Sequence, residues 1–332
     1  MLNFKHTMRF LLAILFSLLG LFYSQAQQST QYSMYMLNPY IYNPAYAGLD
    51  ESLSITTTFR KQWLSFPGSP SSAHFNAHMP VEYISSGVGL GMEYDVLGAE
   101  KNMTLQGSYN YIANLGKAGR LSIAISGSWI HKTLDGSILR APDGLYEGNG
   151  VNHDDNQIPD MRVSASTFSA GVGVMYKHDL FSVGVAISNL PAPQLNLEAI
   201  NLQQIRYVRN YFLMGQYNWK INRDFSLHPS LLLKADFTSK LQGEIAVIFE
   251  YKNNILAGLA FRGYSNPTTD ALAFLVGAKV TKQITLAYAY DLSLSRLRSF
   301  NSGSHELVLN YNLGKKMGKV IPAKIIYNPR FL

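Results

Sequence analysis

The chain has 332 residues, a formal net charge of +7 and no cysteine. Lack of any thiol excludes disulfides, thiolate chemistry and a lipoprotein anchor. The basic excess sits at the two ends: without Lys5 and Arg9 the charge falls to about +5, and Lys315, Lys316, Lys319, Lys324 and Arg330 crowd the last stretch. The body is close to neutral and has no Lys/Arg stripe of the kind that binds nucleic acid, so no nucleic-acid partner is expected.

Residues 1–26 read as a secretory signal. Lys5 and Arg9 supply a basic start, Phe10 to Phe22 an apolar centre, and Ser24-Gln25-Ala26 a small-x-small cleavage site, so the mature chain starts near Gln27. The apolar centre is shorter than the roughly 20 residues that span a bilayer comfortably. No other stretch approaches that length, which leaves a β-barrel as the membrane option for the exported chain. Export of a barrel implies the outer membrane of a Gram-negative bacterium.

From residue 52 onward, hydrophobic alternation with a period of two returns about fourteen times. In 284–292, Ile284, Leu286, Tyr288, Tyr290 and Leu292 face one way and Thr285, Ala287, Ala289 and Asp291 the other. Leu121, Ile123 and Ile125 oppose Ser122, Ala124 and Ser126 in the same manner. Tyr109, Tyr111, Trp129, Tyr176, Tyr217, Trp219, Tyr251 and Tyr311 lie on apolar faces near strand ends, as two interfacial girdles require. The spacing predicts strands over 52–63, 71–80, 86–97, 101–115, 120–132, 165–176, 180–190, 208–221, 225–237, 240–251, 255–262, 270–280, 284–293 and 303–313. This is an all-β fold: a closed transmembrane antiparallel barrel of about 14 strands. Every second connection is short, as at Lys177-His178-Asp179 and Lys252-Asn253-Asn254, which reads as the periplasmic side. The longest connections, 133–164 and 191–207, read as extracellular loops.

Four parts are therefore expected: a signal peptide at 1–26, an N-terminal plug or periplasmic-mouth segment at 27–51, the barrel at 52–313, and a basic periplasmic tail at 314–332. In the N-terminal segment Asn38-Pro39 and Asn43-Pro44 oppose regular helix or strand. Five tyrosines, Tyr32, Tyr35, Tyr40, Tyr42 and Tyr46, are too many to leave in water, so their rings are expected to fill space in the lumen or at its mouth.

The register turns Arg60, Glu93, Asp95, Lys234, Asp236, Glu244, Glu250, Arg262, Lys279, Asp291 and Glu306 toward the lumen. They read either as the lining of a selective channel or as cross-strand ion pairs that close the lumen; the second is the expectation. The loop with Asp143, Asn152, His153, Asp154, Asp155, Asn156 and Asp160 carries oxygen ligands but misses the EF-hand spacing, and His74 and His78 share a face with Asn76 in what reads as a polar row. Gly87-Val88-Gly89-Leu90-Gly91 lies inside a strand pattern, which removes the context a nucleotide loop needs; glycines there make room for bulk opposite. No Gly-x-Ser-x-Gly elbow or other catalytic arrangement is recognisable. No catalytic residue, metal or cofactor is expected.

The stretch Gln31-Tyr32-Ser33-Met34-Tyr35-Met36-Leu37-Asn38-Pro39-Tyr40-Ile41-Tyr42-Asn43-Pro44-Ala45-Tyr46-Ala47-Gly48 resembles the opening of the PorP/SprF family of type IX secretion outer-membrane proteins. Phe59-Arg60-Lys61-Gln62-Trp63, Pro67-Gly68-Ser69-Pro70, Tyr290-Asp291-Leu292-Ser293 and Gly303-Ser304-His305-Glu306-Leu307 resemble further landmarks of that family. The resemblance implies a non-enzymatic outer-membrane barrel of the type IX secretion and gliding machinery. Its implied partners are outer-membrane lipid, periplasmic components of the machine and secreted surface cargo. It also marks Tyr32, Tyr35, Asn38, Pro39, Asn43, Pro44, Ala45 and Gly48 as a plug or docking motif, with Arg60, Trp63, Asp291 and Glu306 as lumen landmarks. The Asn-Pro-Ala segment ahead of a fourteen-strand barrel is also similar to FadL-type transporters, so passive transport of small or hydrophobic solutes is the rival reading.

Overall fold

The computed structural model describes residues 30–317, apart from 117, 147–149, 156–157, 198–204, 237–240 and 265–268. The signal-peptide expectation and most of the tail fall outside the described residues.

Fourteen strands make the wall: β1 (Ser54–Lys61), β2 (Ser71–Val81), β3 (Ser86–Leu97), β4 (Glu100–Leu115), β5 (Gly119–Asp135), β6 (Arg162–Lys177), β7 (Phe181–Ser188), β8 (Asn210–Tyr217, continued by Trp219–Lys220), β9 (Phe225–Ala235), β10 (Gln242–Tyr251), β11 (Ile255–Tyr264), β12 (Thr269–Lys279), β13 (Ile284–Ser293) and β14 (Ser304–Asn312). Each pairs antiparallel with its sequence neighbours, and β14 closes on β1 from Ser54↔Asn312 to Lys61↔His305. Closure gives every strand a neighbour on both sides, the condition for crossing hydrocarbon, although β6 runs past its ladder with β7, which spans only Val172↔Ile187 to Lys177↔Ser182.

Alternation sets the two faces. Leu90, Ile125, Leu286, Leu292 and Phe168 are exposed on the outside, while Ser122, Ala124, Ala287, Ala289 and Asp291 are buried inside. Most of the aromatic residues singled out above gather at the end of the short turns, among them Tyr111, Tyr176, Tyr217, Trp219, Tyr251 and Tyr311. Trp129, Tyr94 and Tyr290 stand toward the long-loop end.

β5 and β6 run longer than their alternation suggests, because cross-strand pairing continues to Asp135↔Arg162, where the Arg162 guanidinium bonds the Asp135 carboxylate at 2.6 Å. The 189–209 connection holds a two-residue ladder, Gln194–Leu195 with Ile205–Arg206, that packs Leu195 and Leu197 on Val163. Two-residue strands are too short to carry an alternation, and the contact between these apolar residues holds this one.

Candidate functional site

The lumen is occupied by the chain itself. Three single-turn 3-10 helices, Tyr35–Leu37, Pro39–Ile41 and Pro44–Tyr46, descend in chain order from the long-loop end toward the start of β1 at the short-turn end. Pro39 and Pro44 each occupy the first position of a turn, where a missing N–H costs nothing and the fixed φ favours the turn. Asn43 caps the third turn, its Oδ1 accepting from the Ala45 N–H at 3.0 Å. Gly48, at φ +76, turns the chain out toward the wall where a Cβ would be strained. Tyr32, Tyr35, Tyr40 and Tyr42 are buried, and Ala45, Ala47 and Leu49 are sealed from solvent. The space beside Tyr35, Met36 and Pro39 is about 20 Å³, room for about one water.

Three groups of wall residues grip this segment. Nearest the long-loop end, Arg60 donates to Asp291 Oδ2 at 2.7 Å and to Glu306 Oε2 at 2.9 Å. Arg262, beside a register shift in the β11–β12 ladder, donates to Glu244 at 2.7 Å and reaches Asp291 at 3.4 Å. Arg60 faces Glu306, and Glu244 faces Arg262, directly across strand pairs. Ser33 sits at the junction: its hydroxyl donates to Asp291 and accepts from both arginines. The Ser33 and Met34 N–H groups donate to the two Glu306 oxygens at 2.7 and 2.9 Å. Glu306 has one guanidinium partner, and the segment's backbone takes up its remaining acceptor capacity. A buried charge network depends on its members being satisfied, and the segment supplies three donors and an acceptor to this one, although Arg60 Nε, Glu244 Oε1 and Asp291 Oδ1 have no hydrogen-bond partner among the described residues.

At mid-height Asn76 donates to Asn38 Oδ1 at 2.9 Å, Tyr35 donates to Ser230 Oγ at 3.1 Å, and the Tyr42 hydroxyl accepts from Lys234 at 3.1 Å. Tyr40 lies over Gly89, where a Cβ would come within 2.6 Å of the ring, and Gly87 and Gly173 bring the wall equally close to Ala47 and Asn43. The glycines of the 87–91 stretch therefore seat the segment's bulk. His78 accepts from the Gly48 N–H at 3.3 Å and packs against the Tyr40 and Tyr46 rings, while His74 meets Tyr32 edge-on. The two histidines serve the segment.

Toward the short-turn end, Asn110 bridges the Ala45 and Ala47 carbonyls and Ser122. Asn43 Nδ2 reaches the Val174 and Val185 carbonyls at 3.0 and 3.3 Å. Lys177 Nζ pairs with Asp50 Oδ1 at 3.0 Å, and the Tyr46 hydroxyl donates to the same oxygen at 2.7 Å. Burial pushes the Asp50 carboxyl up, but Lys177, His78 and Tyr46 together outweigh it and hold the group at about 2. Arg120 and Lys316 both pair with Glu51, and the Met317 N–H donates to the Glu51 carbonyl, so the first described residues of the tail fold onto the base of the segment.

Of the residues singled out in the sequence, Tyr32, Tyr35, Asn38, Pro39, Asn43, Pro44, Ala45, Gly48, Arg60, Asp291 and Glu306 come together in this one assembly. Trp63 does not. It lies in the β1–β2 connection with φ +50, its N–H on Ser304 Oγ, at the rim and not in the lumen. The sequence assigns no site role to Ser33, Asn110, Arg120, Lys177 or Asp50, although the outward Tyr109 and Tyr111 already place Asn110 inside. In the 133–164 loop, buried His153 bonds Tyr146, the Gly136 carbonyl and, through its N–H, Asp160. No group of three or more potential metal ligands gathers among the described residues.

The description of the type IX secretion system membrane proteins PorP/SprF matches residues 24–311. The chain belongs to that family. This makes it a barrel component of a type IX secretion system in the outer membrane. None of the curated proteins matches the PorP/SprF chain. Among solved structures it is similar to the Ralstonia pickettii toluene transporter TbuX, with 10% identity over 85% of this chain and 93% of that one at a TM-score of 0.47. Acinetobacter baumannii Omp33 gives 8% identity over 79% and 97% at 0.45, and a Pseudomonas aeruginosa FadL homologue 11% over 79% and 89% at 0.42.

Proposed function

We propose that this PorP/SprF protein is a non-enzymatic docking component, exported through a cleaved signal peptide, that holds secreted surface cargo or periplasmic parts of the type IX machinery at the outer membrane. The observation that carries the reading is the N-terminal segment, which fills the lumen between the Arg60 network and the Lys177–Asp50 pair and suits a platform better than a conduit. With the short turns facing the periplasm, the base of the plug around Tyr46 to Ser52, together with Lys316, presents a composite surface to the machine.

Passive transport of solutes asks for a continuous apolar cavity and an opening in the wall. The shallow groove lined by Phe59, Tyr94, Tyr288 and Leu307 lies on the outer face of β13, β14, β1, β2 and β3, whose pairing runs unbroken through Asp291↔Ser304, Lys61↔His305, Lys61↔Ser71 and Ser71↔Val96. That geometry favours docking over transport.

The test is a strain lacking this protein, complemented by the wild-type copy. Docking predicts that at least one secreted surface protein accumulates in the periplasm of the deletion strain and returns to the surface on complementation. Normal display of all surface proteins, together with slowed uptake of a small hydrophobic solute, favours transport instead.

A further inference from the structure

Above the plug, toward the long-loop end, the lumen opens into a cavity of about 370 Å³. Its floor is Ile41, Tyr42 and Pro44, so it is a blind cup and not part of a through-channel. Its walls come from the long-loop halves of β3, β4, β5, β7 and β8, with Tyr207 and Val208 beside its mouth. The size lies at the lower end of the range in which proteins hold small ligands or single side chains.

The charges inside the cup are unbalanced. Elsewhere in the lumen Glu244, Asp291, Glu306 and Glu250 each have an arginine or lysine partner within 3.0 Å. Glu93, Asp95 and Glu100 line the cup, and its one cation among the described residues, Lys132, is bound to Glu100. Glu93 and Asp95 have hydroxyl partners only: Thr30 donates to the first and Ser72 to the second. Two carboxylates at one wall without an ion pair are costly in a part-buried site unless a cation or a proton arrives. Asn102 Oδ1 and the Tyr207 hydroxyl, also in the wall, lack a hydrogen-bond partner among the described residues. Thr104, Ser126 and Ser128 add hydroxyls able to bond a peptide backbone, and the Tyr42 and Phe212 rings supply apolar contact for a methylene stem.

We infer that this cup binds a cationic side chain, arginine or lysine, of a polypeptide presented at the long-loop end of the barrel. Glu93 and Asp95 take the charge, and the hydroxyl wall takes the flanking backbone. The inference rests on the docking reading for the identity of its partner, a basic segment of surface cargo, but the binding itself does not depend on that reading.

The test uses the full protein in nanodiscs of uncharged lipid, with a fluorescein-labelled tetra-arginine peptide read by anisotropy. Saturable binding is expected at low salt, weakened about tenfold or more in the double variant Glu93→Gln, Asp95→Asn. Asp224→Asn, in an exposed short turn at the opposite end of the barrel, leaves it unchanged. Asn102→Lys, which places the chain's own ammonium in the cup, blocks the peptide and guards against a double variant that fails to fold. Absence of binding, or equal binding by wild type and Asn102→Lys, overturns the proposal; so does a neutral oligosaccharide that binds in the cup where the peptide does not. Peptide binding without any secretion defect in the deletion strain sinks the docking reading alone, and a secretion defect without peptide binding sinks the cup alone.

Discussion

A leucine at position 89 has to displace the Tyr40 ring, because even its Cβ would stand 2.6 Å from that ring. Overpacking of this kind costs about 1–3 kcal/mol. Gly89→Leu should therefore lower the urea midpoint of the folded protein in lipid, whereas Gly107→Ala, whose Cβ meets only the end of Leu90 at 3.9 Å, should leave it in place. Equal midpoints for the two variants contradict the seat described for the plug. Asp50 supplies a different test. Its carboxyl titrates at about 2 in the folded protein, against about 3.9 for an unperturbed aspartate. The depressed value means that the Lys177 contact stabilises fully above about pH 4 and is lost as the pH falls toward 2. Unfolding midpoints of the wild type should drop through that window, and Asp50→Asn should flatten the drop. A variant with the same pH profile as wild type removes Asp50 from the account.

At the scale of the strand, the alternation makes opposite demands of adjacent residues. Leu286 faces lipid on β13 and Ala287 faces the lumen. Leu286→Arg puts a cation in hydrocarbon and should cost roughly 2–4 kcal/mol, while Ala287→Ser should stay within about 1 kcal/mol. Retention of heat-modifiable mobility on gels by Leu286→Arg, with loss in Ala287→Ser, means the faces are reversed. The strands themselves were legible because period-two patterning is a local signal that each residue carries alone. The cross-strand partners of the lumen charges were legible only as a set: Arg60 with Glu306 and Glu244 with Arg262 depend on register, which alternation fixes to a face but not to a neighbour. The plug's contacts were less legible still. Asn38, Asn43 and the tyrosines announce turns and bulk, but the path that brings Ser33 to Glu306, 273 positions away, is set by three irregular turns with no period to read. Trp63 shows the limit of a motif, since its neighbour Arg60 points into the lumen and Trp63 itself stands at the rim.

For the molecule as a whole, the central claim is that the barrel is closed by its own N-terminal segment, held by the Arg60, Asp291 and Glu306 network near one end and the Asp50 and Lys177 pair near the other. Removing the segment leaves Glu306 and the glycine-lined wall facing water, with nothing else described that spans the lumen at that height. Folding of such a variant is checked first by its heat-modifiable mobility. The decisive measurement is single-channel conductance in planar bilayers for the wild type and for a variant lacking residues 33–48. The wild type should stay closed and the deletion variant should open steady conducting steps. Equal conductance from the two proteins, whether both open or both closed, would contradict a lumen plugged by this segment.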